Sequence, residues 1–219
     1  MSRINTKVQI CNLSLGHLNA GSVADIDDPK TQTEKVCDLH YDTTRLEVLR
    51  KHSWNFASKR IKLASDATFT PAFEFEVGYK LPNDFVRLNA IGTRGDVNLY
   101  QMEESRILIS GLATDSTTQE LPIKYVFDHT TVRLFDTLFI KLLALQMASN
   151  MAFQLTGTAS HVDRLESLIK KAEAEAYAVD GQERPPERIE KSRFLGARRG
   201  NIGNSNTNDR PDLVLFNET

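Results

Sequence analysis

A chain of 219 residues with 40% hydrophobic content is long enough to bury a core, as one domain or two small ones, and should fold without disulfides or metals. Its 27 Lys and Arg stand against 29 Asp and Glu, a formal net charge of −2, so no whole-chain attraction to nucleic acid or anionic lipid is expected. The two cysteines, Cys11 and Cys37, are too far apart in sequence for a CxxC redox or zinc pair and read as small, reduced core residues.

Met1 to Asn12 has no basic stretch followed by an apolar one, so no secretory signal is expected and a cytosol-like environment is. Thr6 followed by Gln9 resembles a capping box, and Ile4, Val8, Cys11, Leu15 and Leu18 repeat at helical spacing, predicting a first helix that ends near Gly21. An acidic loop with Asp25, Asp27, Asp28 and Pro29 leads to a second capping box, Thr31 and Glu34. The helix it opens is expected from about Thr31 to His52, with Val36, Leu39, Thr43, Leu46 and Leu49 on its apolar stripe.

From Trp54 to Phe127 the pattern changes to short runs between turn residues: Ile61 to Leu63, Phe85 to Ile91, Arg106 to Ser110 and Pro122 to Phe127. Pro71, Pro82 and Pro122 are expected at strand edges or turns. A third helix, about Thr131 to Leu155, is apolar nearly all round from Leu138 to Met147, as befits the centre of a bundle. Asp136, Lys141, Gln146 and Asn150 argue against a membrane span there. Ser160 and Asp163 open a fourth helix, with Val162, Leu165, Ile169, Ala172, Ala176 and Val179 at alternating three- and four-residue steps until Gly181 stops it. Beyond Gly181 the chain turns rich in Arg, Asn, Pro and Gly. Six basic residues face three acidic ones between Gln182 and Gly200, a segment suited to docking on a partner and expected to be disordered in an isolated monomer.

The expected fold class is therefore α+β but mainly α. Residues 1–53 and 128–181 form an antiparallel helical bundle, 54–127 a small inserted antiparallel β-domain, and 182–219 an extended or disordered C-terminal tail.

Signals for chemistry are sparse. The chain has no GxSxG elbow, Walker loop, GxGxxG fingerprint, HExxH helix or EF-hand loop, and its five histidines never form a close ligand pair, so no catalytic, cofactor or metal residue is assigned. Asp25, Asp27 and Asp28 have the chemistry for glycoside hydrolysis, but an acidic loop before a helix N-terminus is favoured by the helix dipole alone. Trp54 and Phe56, at i and i+2, send both rings to one side of an extended segment and read as the anchor between bundle and β-region. Arg193, Arg198 and Arg199 suit phosphates, yet Glu183, Glu187 and Glu190 just upstream favour a mixed-charge protein interface.

Several groups of residues, taken in order, form one pattern. The first group is Asn12-Leu13-Ser14-Leu15-Gly16-His17-Leu18, then Cys37, Tyr41, Arg45, Val48 and Leu49, then Trp54-Asn55-Phe56-Ala57 and Arg60. The pattern continues through Tyr79-Lys80-Leu81-Pro82-Asn83-Asp84 with Arg87, through Tyr125, Asp128, Phe135-Asp136, Phe139, Ala148 and Ala152, and into Ser192-Arg193-Phe194-Leu195. This ordered set resembles the tail tubular protein A family, the head-to-tail adaptor or gatekeeper subunits of short-tailed double-stranded DNA phages. The resemblance spans nearly the whole chain; Ser14 and Pro29 are departures that touch packing only.

This resemblance implies a non-enzymatic structural subunit without a cofactor. It implies a homo-oligomeric, dodecameric ring beneath the portal protein, joined to a downstream tail or nozzle protein, with genomic DNA passing through the lumen without sequence-specific binding and with no membrane. The expected location is the virion, after synthesis in the bacterial host cytoplasm. Within the tail, Arg193, Phe194, Leu195, Arg198, Arg199, Leu213, Val214, Leu215 and Phe216 are the expected contacts to the portal or a neighbouring subunit. The rival readings are a tail-associated polysaccharide-degrading protein using Asp27 and Asp28, an adaptor binding nucleic acid through the basic tail, and a tail terminator or completion ring protein.

Overall fold

The computed structural model of the protein describes residues 4–92, 100–110, 120–157 and 160–183. Helix α1 (Lys7–Leu18) starts where the sequence placed it. The Thr6 hydroxyl accepts the Gln9 N–H at 3.3 Å, and the Gln9 side chain reaches back to the N–H groups of Asn5 and Thr6. It stops before Gly21, because Asn19 adopts the left-handed conformation at φ 54° and closes the helix itself. The loop that follows is pinned rather than loose: the Asn12 amide exchanges two hydrogen bonds with the backbone of Val23, and Val23 and Ile26 are buried.

Helix α2 (Gln32–Lys51) carries the second capping box, Thr31 with Glu34. Its buried face differs from the expected stripe. Cys37, Tyr41, Thr44, Arg45 and Val48 are inside, whereas Leu39 is 66% exposed and Leu46 also faces outward. Polar residues occupy this face because they are satisfied there: Thr44 Oγ1 accepts a hydrogen bond from the Asn150 amide, and Arg45 finds acidic partners.

The expectation of a mainly α bundle with a small β-insertion is corrected by the strands. Among the described residues the fold is α+β, with four helices and two three-stranded antiparallel sheets. The strands are β1 (Ser58–Leu63), β2 (Val77–Lys80), β3 (Phe85–Ile91), β4 (Tyr100–Glu103), β5 (Arg106–Ile109) and β6 (Leu121–Phe127). One sheet has the order β1-β6-β3 and the other β2-β5-β4. Between them lies a second core of Leu63, Tyr79, Leu81, Ile91, Ile107, Ile109, Leu121, Ile123 and Tyr125. The β-part thus has its own sheet-on-sheet interior, more than an insertion on a bundle would have. Pro122 does not mark an edge: it is the second residue of central strand β6, and its carbonyl accepts the Gly92 N–H.

Strand β3 is what brings the first sheet onto the helices. Its register against β6 shifts twice, so that Phe85, Leu88 and Ile91, three residues apart, oppose Phe127, Tyr125 and Ile123, two apart. Val86 and Asn89 are the extra residues of two β-bulges, aimed away from that apolar row. Both touch the end of α2: the Val86 carbonyl accepts the Arg50 guanidinium at 2.7 Å, and the Ser53 hydroxyl donates to Asn89 at 2.8 Å.

A 3-10 turn (Val132–Leu134) leads to α3 (Thr137–Thr156), capped by the Asp136 carboxylate, which accepts the N–H groups of Leu138 and Phe139. This helix packs against α1, α2 and α4 (Ser160–Gln182), and so is buried nearly all round. It is the one helix among the described residues long and apolar enough to cross a membrane, but more than half of that stretch is buried inside the protein. The Arg164 guanidinium of α4 donates to the carbonyl of His17 at 2.7 Å, meeting one of the orphan carbonyls at the end of α1.

The β4–β5 hairpin turns on Glu104 and Ser105 at φ 43° and 60°, the left-handed pair of a two-residue turn built from residues that disfavour it. Ser105→Gly should therefore stabilise the fold by roughly 0.5–1 kcal/mol, read as a higher midpoint in urea denaturation; an unchanged or lower midpoint would show that the turn is not strained.

Candidate functional site

Many of the residues that carry the resemblance, among them Arg45, Trp54, Phe56, Asp84, Arg87, Tyr125, Asp128 and Phe139, meet at the junction of the helices with the first sheet. Trp54 follows α2 and is 1% exposed. Its indole N–H donates to the Val48 carbonyl at 2.9 Å, and its ring meets Phe139 edge-on at 5.1 Å and Tyr177 at 5.7 Å. Phe56, half-buried, lies 4.9 Å from the same Phe139 ring and 5.8 Å from Phe135. Emptying a site like that of Trp54 costs on the order of 3–5 kcal/mol. Both rings therefore join the helical core on Phe139 of α3, while Ser58, the first residue of β1, donates its hydroxyl to the Trp54 carbonyl at 2.7 Å and its N–H to that of Asn55.

Below the aromatic cluster lies a chain of charges. Arg45 of α2 is 3% exposed and donates to the carboxylate of Asp128, to that of Asp42 at 3.1 Å, and to the His129 carbonyl at 3.0 Å. Burial works against the guanidinium charge, but Asp128 and then Asp42 outweigh it and hold Arg45 above its ordinary value. The Asp128 N–H donates to the Asp84 carbonyl at 2.7 Å. The Asp84 carboxylate in turn accepts Lys59 at 2.6 Å and the Tyr125 hydroxyl at 2.9 Å. Partial burial raises Asp84, yet Lys59 and Tyr125 more than reverse it and leave its carboxyl below the usual range. Tyr125 is pushed up to about 12, first by burial and then by its bond to Asp84. One network thus links α2, β1, β3 and β6.

Two further ties close the junction. The Arg87 guanidinium of β3 donates to the Lys51 carbonyl at 2.9 Å and also to that of Arg50, where the α2 dipole favours a cation. Near the end of α4, Asp180 accepts His52 at 2.9 Å and the Asn55 N–H at 2.9 Å, while the Asn55 amide donates to the Asp180 carbonyl at 2.7 Å. His52 also stacks on Tyr177 with ring centres 4.3 Å apart. Sequence reading missed Asp180, although the four-residue steps Ala172, Ala176, Asp180 put it on the buried face; the same spacing from Cys37 and Tyr41 marks Arg45.

The Asp25 carboxylate accepts the Asp27 N–H at 2.9 Å in a local turn, and Asp27 and Asp28 face Lys7 and Lys30 at the surface. Among the described residues, no group of three His, Cys, Asp or Glu side chains is placed to hold a metal ion. The expected tail contacts Arg193, Phe194, Leu195, Arg198, Arg199, Leu213, Val214, Leu215 and Phe216 lie outside the described residues. The fold and this junction define an α+β protein whose distinguishing side chains hold helices to sheets. No protein-family model matches the chain, and no curated protein matches its sequence.

His129 is expected to make the junction sensitive to acid. Its ring sits among Phe127, Phe135 and Phe56, with ring centres 4.9, 5.6 and 5.8 Å away, and its buried Nδ1 has no hydrogen-bond partner among the described residues. Burial, then the Arg45 and Lys59 charges, disfavour the imidazolium against the pull of Asp128, holding His129 below 6.5. In the window from 6.5 down to that lowered value the unfolded chain binds a proton that the folded chain refuses, so stability rises with pH there and falls on acidification. The melting temperature should fall as the pH is lowered from neutral to about 5. His129→Leu should lessen that drop, leaving the part due to His17, whose value burial and then Arg164 also lower. An equally steep profile in the variant would place the acid sensitivity elsewhere.

Proposed function

We propose that this chain is a non-enzymatic structural subunit of the head-to-tail connector of a short-tailed phage. Copies form a ring, expected to be dodecameric, that joins the portal protein to the downstream tail or nozzle protein and surrounds the DNA exit channel. The chain is made in the host cytoplasm and ends in the virion. It needs no cofactor and no membrane.

The observation that carries this reading is the use of the resembling residues. Arg45, Trp54, Asp84, Arg87, Tyr125, Asp128 and Phe139 are engaged in packing or hydrogen bonds that hold helices against a sheet. A ring subunit through which DNA is driven needs a body that keeps its shape, and this is where such a body would concentrate its specific interactions. A reacting site would instead bring polar groups to an accessible cleft.

Two more features suit a ring. Its closed contacts are heterologous, joining two different faces of each subunit. Leu39 and Phe153, both largely exposed, flank the His40–Gln154 hydrogen bond between α2 and α3 and offer apolar surface for such a contact. The net charge of −2 also avoids a strongly attractive lumen, so DNA passes without a specific grip.

Light scattering of the purified chain, alone and mixed with its portal, tests the proposal. The expected result is a small species alone and a high-copy ring with the portal. A chain ending after Gly181 should keep its circular dichroism spectrum and lose portal-driven assembly. A full chain indifferent to the portal would overturn the reading.

A further inference from the structure

Cys11 and Cys37 take no part in the junction described above. Both are buried at 0% exposure in the helical core, one on α1 and the other on α2. A separate contact fixes how these helices face one another: the Lys7 ammonium of α1 lies 5.5 Å from the centre of the Tyr41 ring of α2. Cys11 is one turn beyond Lys7 and Cys37 one turn before Tyr41, so on antiparallel helices the two thiols form the next opposed pair. On parallel helices Cys11 would face Arg45 instead, with Cys37 roughly two turns, about 11 Å, away. The antiparallel arrangement is the one present: His40 and Thr44 of α2 bond Gln154 and Asn150 in the last turns of α3, and Arg164 at the start of α4 holds the His17 carbonyl, so the end of α1 lies beside the start of α2.

We propose that Cys11 and Cys37 are a redox-active dithiol that closes to a disulfide, stapling α1 to α2, when the protein meets a low-molecular-weight disulfide oxidant. Cys37 is the attacking group, because the neighbouring Cys11 thiol favours its thiolate, whereas the same neighbour and burial raise Cys11. The Cys37 thiolate attacks one sulfur of the oxidant, and the other half leaves as a thiolate. Cys11 then gives up its proton and attacks the Cys37 sulfur of the mixed disulfide, releasing the second half. One S–S bond forms in the protein and one is broken in the oxidant; two protein thiols lose two protons and two electrons, and the oxidant becomes two thiols. With neither sulfur exposed, the reaction waits on transient lifting of α1 and is slow. The staple tightens the N-terminal helix when the chain leaves a reducing compartment for an oxidising one.

The test uses the full chain with oxidised glutathione under native conditions, followed by intact mass, a non-reducing peptide map and a thermal melt. The expected outcome is loss of two hydrogens, a cross-linked Cys11–Cys37 peptide and a melt raised by several degrees, all reversed by dithiothreitol. Cys11→Ala should trap a glutathione adduct on Cys37 that cannot resolve. Wild-type protein that yields only glutathione adducts, linked dimers or unreacted thiols, even in urea low enough to open α1 alone, would overturn the proposal. The chemistry is read on the isolated protein, so its failure would leave the connector reading standing, and the reverse.

Discussion

The fold depends most on a buried guanidinium. Arg45 enters the interior of α2 with its charge, and the cost of leaving that charge unpaired is on the order of 3–5 kcal/mol. Its partner Asp128 stands between the end of β6 and the 3-10 turn that opens the way to α3. The ion pair therefore fixes where the sheet hands the chain back to the helices. Asp128 also passes the constraint on, through its N–H to Asp84, and from there to Lys59 on β1 and Tyr125 on β6. An apolar pair of the same volume would hold the elements about as strongly; hydrogen-bonded charges constrain direction as well as distance.

The rest of the junction follows from that seat. The β3 bulges free Val86 and Asn89 to meet the end of α2, and Arg87 between them answers its last carbonyls. Trp54 and Phe56 fill the space between this seam and α3, converging on Phe139. Asp180 draws the end of α4 onto His52 and Asn55.

Local signals were legible where local chemistry decides structure. Both capping boxes are visible as Thr6 with Gln9 and Thr31 with Glu34, and the all-round apolar run of α3 announces a helix with neighbours on every side. The phase of α2 was not legible from hydrophobicity, because Leu39 and Leu46 face outward while Thr44 and Arg45 are made tolerable inside by residues far along the chain. Strand β2 hides behind Gly78, where an added Cβ would come within 2.7 Å of the Phe69 ring, and β4 exposes every residue and so shows no alternation. The three-residue apolar steps of β3 make sense only once its bulges are known. Trp54 and Phe56 could be singled out from their spacing, but Asp180 and the Asp84 network depend on non-local pairing that no single segment encodes.

The central claim is that Arg45 and Asp128 act together to hold the helices to the sheet. A double-mutant cycle on Arg45→Met and Asp128→Leu, with stabilities from urea denaturation, tests it most directly. The account predicts that each single change is strongly destabilising and that the double change costs far less than the sum, with a coupling of about 1.5 kcal/mol or more. Costs that add within about 0.5 kcal/mol would mean the two residues act independently, and would contradict a junction organised by their contact.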